Sequence, residues 1–420
     1  MEEERKLLVG IDLGKEITQM SCFDFTTYEP VPIGRKVHGE RVYEIPTALA
    51  VNPEFGEWYW IDEEYAGREG VICLKYLLAD VVRDDKITVG RYSVESYQVL
   101  KRFLVKLLSI LKEYYPTEMI RKLVITVSKK ENRLTEYLVR ICEEIGIPKN
   151  GLVVQNYRQS YMYYALSQPK ELWNNNVGLF ELEGNELLYS QIDIDRKTMP
   201  YIIGVTRKDL SDGINWEGLA EEGDAHISYA FLNAANTALH KQLVTTVYVT
   251  GKGFEHEWAG KALQELCAGR RVFRGQNLFT RGACYAAREL SGEGKLDQCL
   301  FLDEEMIACN VSLRVYKDAA LQEVMLAKAG SLWSEVDSSV DVIPDDEEEI
   351  QITIQDVLKH ETKAHMLSLS GFAGRDNKMT RFTIRIRFAD NMTCIVTLKD
   401  NGFGEFCPSS NRVWERYISV

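Results

Sequence analysis

Apolar residues along this chain follow a period of two, then a period near 3.6, and the same change happens a second time further on. Residues 6–13 and 18–25 form short apolar runs of strand length. Runs at 44–51 and 58–61 follow, with turn residues around Pro30-Val31-Pro32 and Pro53-Glu54-Phe55-Gly56. From Ser93, read as an N-cap, Val94, Tyr97, Leu100, Leu104, Leu107, Leu108 and Leu111 keep helical spacing as far as Tyr114, and Pro116 ends the helix. A strand over 122–127, a helix over 131–145 stopped by Gly146, an extended 152–155 and a helix over 157–166 predict a parallel stretch of sheet. After Pro169 and Asn174-Asn175-Asn176 the order restarts. Strands at 177–182, 187–194 and 201–205 precede a helix at 227–239, a strand at 245–249 and helices at 256–266 and 280–290. The chain therefore reads as two pseudo-repeated α/β lobes, 1–170 and 171–297. Beyond 298 helical spacing nearly vanishes, while 350–354, 366–370, 381–388 and 394–398 alternate or run apolar between turns. That predicts a separate all-β domain, 298–420, built as a sandwich.

Composition narrows the functions open to such a chain. Its 420 residues carry 50 Lys and Arg against 63 Asp and Glu, a net charge of -13 that repels a phosphate backbone, so no nucleic-acid partner is expected. The acidic start and the lack of an apolar run of membrane length predict no membrane partner and a cytoplasmic location. Nine cysteines with no Cys-x-x-Cys pair read as reduced thiols rather than disulfides or a zinc site. The run Asp345-Asp346-Glu347-Glu348-Glu349 lacks the alternating ligands and glycine of a calcium loop and reads as a solvated loop. No Gly-x-Ser-x-Gly elbow is present, and Cys142 and Cys284 read as core.

The motif Leu8-Val9-Gly10-Ile11-Asp12-Leu13-Gly14, followed at once by a second strand, resembles the first phosphate loop of the actin, sugar-kinase and heat-shock ATPase superfamily. Further segments extend the resemblance in order. Residues 122–128 resemble the strand after the family's Ile-Thr-Val-Pro signature, and 156–165 occupy the place of its Asn-Glu-Pro-Thr-Ala-Ala-Ala helix. Val247-Tyr248-Val249-Thr250-Gly251-Lys252-Gly253-Phe254 is similar to the adenosine-loop segment, and 276–287 to the closing helix. Leu300-Phe301-Leu302-Asp303 resembles the interdomain linker of the seventy-kilodalton heat-shock chaperones, and 380–398 the second half of their peptide-binding sandwich. With the chain stopping at Val420, no helical lid is expected. The resemblance implies a two-lobed actin-like ATPase fold with a nucleotide site at Asp12, Gly14, Lys15, Gly251, Lys252 and Gly253, Mg2+ at Asp12, and a peptide site at Gly371, Phe372 and Ala373. Trp333, Phe372, Phe403 and Phe406 either line that peptide site or fill the sandwich core.

Departures from the family pattern fall on the parts that handle phosphate. The hydroxyl residue after Asp-Leu-Gly is Lys15, followed by Glu16. The second phosphate loop, Asp-x-Gly-Gly-Gly in the family, reads Phe180-Glu181-Leu182-Glu183-Gly184-Asn185. The water-orienting Glu is Tyr157 in this register, and the catalytic Lys has no counterpart; Arg68 lies nearby and reads as a solvated surface residue ahead of a phosphate clamp. The stretch from Asp212-Gly213 to Gly251 has room for one connection and one helix, not for the family's outer subdomain. The expected function is thus a chaperone-like protein with a degenerate, non-hydrolysing nucleotide lobe that binds a polypeptide or mediates assembly, with no cofactor. The alternative is a diverged ATPase with weak Mg-ATP binding.

Overall fold

Alternation decides which way the first strand, Arg5–Leu13, presents its side chains. Leu7, Val9, Ile11 and Leu13 enter one large core, while Leu8, Gly10 and Asp12 point to the opposite face. In this computed structural model, which describes residues 5–420 apart from 198, 213–214, 345–348, 370–374 and 376–377, that strand sits at the centre of a mixed sheet. The order across it is Leu152–Asn156, Met119–Val127, Arg5–Leu13, Ile17–Asp24, Glu29–Ile33. The first three are parallel neighbours, and the last three form an antiparallel meander. The large core face is covered by helices α1 (Leu77–Arg83), α2 (Ser96–Tyr114) and α3 (Asn132–Glu144), with Phe103, Leu104, Leu107, Leu138 and Ile141 buried. Helix α4 (Tyr157–Ser167) follows the sheet and opens on a capping box in which Asn156 and Gln159 satisfy each other's backbone N–H.

A second sheet repeats this plan. Arg271–Arg274 and Val244–Thr250 run parallel to Asn176–Glu183, which pairs antiparallel with Glu186–Asp195, and Tyr201–Asp209 lies beyond. Its helices are α5 (Trp216–Glu222), α6 (Asp224–Leu239), α7 (Glu257–Leu266) and α8 (Leu278–Arg288). Phe180 and Leu182 face α6 and α7 in a core with Phe231, Phe254 and Trp258. Glu181 therefore lies on the other face, as Asp12 does in the first sheet. Helix α8 packs its Ala283, Cys284 and Ala286 against Leu8 and Val124 of the first sheet, and Tyr164 of α4 meets Tyr248 of the second sheet edge to face at 5.3 Å.

By packing, the chain divides into two compact units, Met1–Ile192 with Arg207–Leu296, and Asp193–Thr206 with Asp297–Val420. The expected lobe 1–170 falls inside the first, whereas the expected lobe 171–297 is divided, its residues 193–206 and 297 packing with the second. In the second, Tyr201–Gly204 run parallel to Cys299–Leu302. The rest is two four-stranded antiparallel sheets, ordered Ala320–Ala327, Cys309–Lys317, Glu349–Asp356, Glu361–Ser368 and Asp337–Val342, Arg381–Asp390, Thr393–Gly402, Val413–Ser419. Alternate residues of both, among them Val311, Ile352, Ile384 and Val396, share one apolar core.

Several local expectations need correction. The long helix begins at Ser96, because Tyr92–Glu95 pairs as a strand with Lys86–Val89 and Val94 lies opposite Ile87. The run at 44–51 breaks in two. Ile45–Pro46 joins the first sheet, and Leu49–Asn52 pairs with Glu57–Trp60 and Ile72–Leu74. The stretch after Asp212 holds two helices, α5 and α6, and no strand before Val244 among its described residues. Trp333 packs against the β-core, whereas Phe406 is 93% exposed. The acidic run at 345–348 and the expected peptide site at Gly371, Phe372 and Ala373 lie outside the described residues. All nine cysteines are unpaired, and no helix among the described residues is long and apolar enough to cross a membrane.

Helix α7 offers a clean check on helix energetics. A Cβ added at Gly260 meets nothing within 4 Å, so Gly260→Ala should raise stability by about 0.5–1 kcal/mol through reduced unfolded-state entropy. Urea unfolding measures it, and a loss would show that this helix position is constrained.

Candidate functional site

The two first strands end in corresponding hairpins, and the acids they carry face one cleft. Asp12 lies opposite Gln19 and Thr126 in its sheet, and Glu181 opposite Leu188 and Thr250 in the other. Between them opens a cavity of about 270 Å³ whose walls include Gly14, Lys15, Glu16, Tyr157, Gly251, Lys252 and Phe279. Five of the six residues expected at a nucleotide site therefore line one space. Gly253, the sixth, lines an adjoining hollow with Glu16, Glu183, Lys252 and Trp216.

Close backbone packing explains the glycines. Gly14 stands against the carbonyl of Ile17, where a Cβ would come within 2.4 Å of the oxygen. Gly251 has φ +99° and approaches the Leu182 carbonyl so closely that a Cβ would lie 2.2 Å from its oxygen. The Gln276 amide pins the same loop, accepting from Gly251 N at 3.0 Å and donating to Gly251 O at 3.2 Å. Lys252 then reaches across. Its Nζ lies 3.0 Å from Glu16 and 3.9 Å from Glu183, and its backbone N–H donates to Glu183 at 2.9 Å. The hydrogen bond to Glu16 holds the Lys252 ammonium above its ordinary pKa. As an exposed ion pair this clasp adds little stability. Its consequence is positional: each hairpin presents a carboxylate to the cleft mouth, and Lys252 is already shared between them.

Deeper in the cleft the acids are poorly compensated. Burial, reinforced by the charge of Glu181 and tempered by a hydrogen bond from Tyr157, pushes the Asp12 carboxyl up to about 7. Asp12 Oδ1 has no hydrogen-bond partner among the described residues. Glu181 is also raised to about 7 by burial, against the lowering effect of Arg207 at 3.7 Å. The Tyr157 ring stacks on Phe279 with centroids 4.1 Å apart. Below it a buried network fixes the helix pair, with Ser160 Oγ 2.7 Å from Thr126 Oγ1, accepting from Gln155 at 2.8 Å and donating to the Phe279 carbonyl at 2.9 Å.

In all, seven carboxyl groups, those of Asp12, Glu16, Glu44, Glu181, Glu183, Glu186 and Glu255, line the cavity against Lys15, Arg207 and Lys252. A triphosphate would meet net repulsion, and the Asp12 carboxyl that would orient hydrated metal is already hydrogen-bonded by Tyr157 through one oxygen and buried enough to be pushed up to about 7. These residues do not fit Mg-ATP. Arg68 is exposed and outside the lining. Sequence reasoning missed Glu44, Arg207, Glu255, Gln276 and Phe279, which come from distant segments with no motif to mark them.

Residues 32–304 match the C-terminal region of a family of unknown function, DUF5716. The chain belongs to that family. Residues 306–420 match a domain of unknown function, DUF8552, so the junction between the two matches falls within ten residues of the packing boundary at Leu296–Asp297. No curated protein matches the chain.

The raised carboxyl pKa values carry a prediction for this DUF5716 member. Between about pH 4 and pH 7 the folded state keeps protons at Asp12 and Glu181 that the unfolded chain has released, so stability from these groups falls as pH rises through that window. Asp12→Asn, uncharged throughout, should therefore be more stable than the native chain at pH 8 by roughly 2 kcal/mol, with the gap narrowing toward pH 4. Thermal midpoints across pH test this, and a variant less stable at pH 8 would contradict it.

Proposed function

We propose that this chain is a chaperone-like, non-catalytic module, an actin-like pair of lobes with a degenerate nucleotide cleft, joined to a β-sandwich that binds an extended polypeptide or holds a partner in an assembly. One observation carries the reading: Lys252 bridges Glu16 and Glu183, one from each hairpin, at the mouth through which an ATPase of that superfamily would admit phosphates. The repeated sheet order and the packing of α8 on the first sheet support the duplicated scaffold. Phosphoryl transfer rests on neutralising charge and orienting a nucleophile, and this cleft concentrates negative charge instead.

The binding half of the reading is supported by the edges of the β-unit. Ala320–Ala327 and Val413–Ser419 are edge strands, and Leu321, Met325, Val413 and Tyr417 on them are exposed. Such edges take up extended chains by main-chain pairing, with side-chain contacts supplying selectivity. The test is titration of the full chain with a panel of extended apolar peptides in the presence and absence of Mg-ATP. Peptide affinity that is measurable and indifferent to nucleotide is expected. Affinity that Mg-ATP weakens would restore a nucleotide-driven cycle, and no measurable affinity for any peptide would remove the binding role.

A further inference from the structure

A cleft that repels phosphate has the complementary preference. Lys252 shows how its acids take an ammonium group, seated between Glu16 and Glu183 at the rim. Further in, Asp12 Oδ1 is wholly buried without a hydrogen-bond partner among the described residues, an arrangement that costs free energy until a donor arrives. Beside it the stacked rings of Tyr157 and Phe279, 8° from parallel, line the same cavity. Carboxylate acceptors next to aromatic rings recognise ammonium and guanidinium groups by charge-assisted hydrogen bonds and cation–π attraction. A metal ion would use the carboxylates but gain little from the rings. At about 270 Å³ the cavity is at the small end of ligand pockets, large enough for a compact amine.

We propose that the cleft bounded by Asp12, Tyr157, Glu181 and Phe279 binds a small organic cation, an alkylammonium or guanidinium compound, whose N–H donates to Asp12 while its carbon skeleton lies against the ring pair. The inference rests on the reading of this cleft as unfit for a nucleoside triphosphate.

Calorimetric titration of the full chain with agmatine, putrescine and spermidine tests it. Salt at about 0.15 M screens the diffuse attraction of a chain with net charge -13. At least one of the three should bind at a single saturable site, at least tenfold more weakly in Asp12→Asn and in Glu181→Gln, each shown to be folded by its thermal midpoint. The proposal is overturned by the absence of a saturable site for all three compounds, by affinity unchanged in both variants, or by MgCl2 alone competing fully for the site. A parallel Mg-ATP titration separates the two failures. Mg-ATP binding lost in Asp12→Asn overturns the reading of the cleft itself, whereas silence from Mg-ATP and from the amines overturns the cation proposal alone.

Discussion

Asp400→Ala should destabilise the second unit by about 3–5 kcal/mol, the range for breaking a buried ion pair on one side. Asp400 is 1% exposed at its side chain and Arg375 10%. The carboxylate accepts from both Arg375 Nη atoms at 2.8 and 2.9 Å, from Gly402 N at 2.8 Å, and from Ser410 N and Oγ at 2.9 and 2.6 Å. Alanine leaves the guanidinium and these donors without their shared acceptor in a place water cannot reach freely. These bonds, the one from Arg375 above all, hold the Asp400 carboxyl far below the usual carboxylate range. A lowered folded pKa means that the stabilisation is present above the ordinary aspartate value near 4 and is lost as pH falls below it. Urea unfolding followed by the β-sheet signal should show the full loss at pH 7 and a smaller difference between variant and native chain at pH 3. A loss under 1 kcal/mol at pH 7 would mean that the pair is not a structural anchor.

The second large effect concerns the helix pair at the centre of the first unit. Gly282 of α8 faces Ser160 of α4 so closely that a Cβ would fall 2.0 Å from the Ser160 carbonyl oxygen. Backbone cannot give way as a flexible side chain does, so Gly282→Val must separate the helices and break the Ser160 bond to Phe279. We expect a loss of about 3 kcal/mol, at the upper end for overpacking. Gly10→Ala should behave similarly, because its Cβ would meet Cys284 N at 2.2 Å. Thermal unfolding of Gly282→Val beside Gly260→Ala separates crowding from helix propensity. If both glycine replacements raise the midpoint, the close approach of α4 and α8 is not a constraint.

Where one apolar face repeats over many residues, the chain announces its own structure. The core positions of α2 and α3 and of the strands Arg5–Leu13 and Asn176–Glu183 could be read from period alone, and so could the recurrence of one order of elements. Elements with mixed faces were illegible. Ala320–Ala327 is an edge strand exposed along most of its length, Asp337–Val342 alternates through Asp and Ser rather than apolar residues, and Tyr92–Glu95 is nearly all exposed. At the site, Asp12, Gly14 and Gly251 were legible through the resemblance of their local motifs to the loops of the actin and heat-shock ATPase superfamily, and at the two glycines close backbone approach leaves no room for a Cβ. The clasp was not, since Lys252 and Glu16 stand 236 positions apart and only the juxtaposition of the two sheets brings them together. The burial that raises Asp12 and Glu181 is likewise a product of packing, to which a strand's own sequence gives no clue.

Whether the cleft grips a triphosphate decides between a binding scaffold and a nucleotide-driven machine. Isothermal titration of the full chain with Mg-ATP, beside thermal midpoints with and without it, measures that directly. For a degenerate cleft, no saturable heat up to millimolar nucleotide and an unmoved midpoint are expected. One-site binding with a midpoint rise equivalent to about 2.7 kcal/mol at a hundredfold excess over Kd, abolished by Asp12→Ala, would contradict that reading.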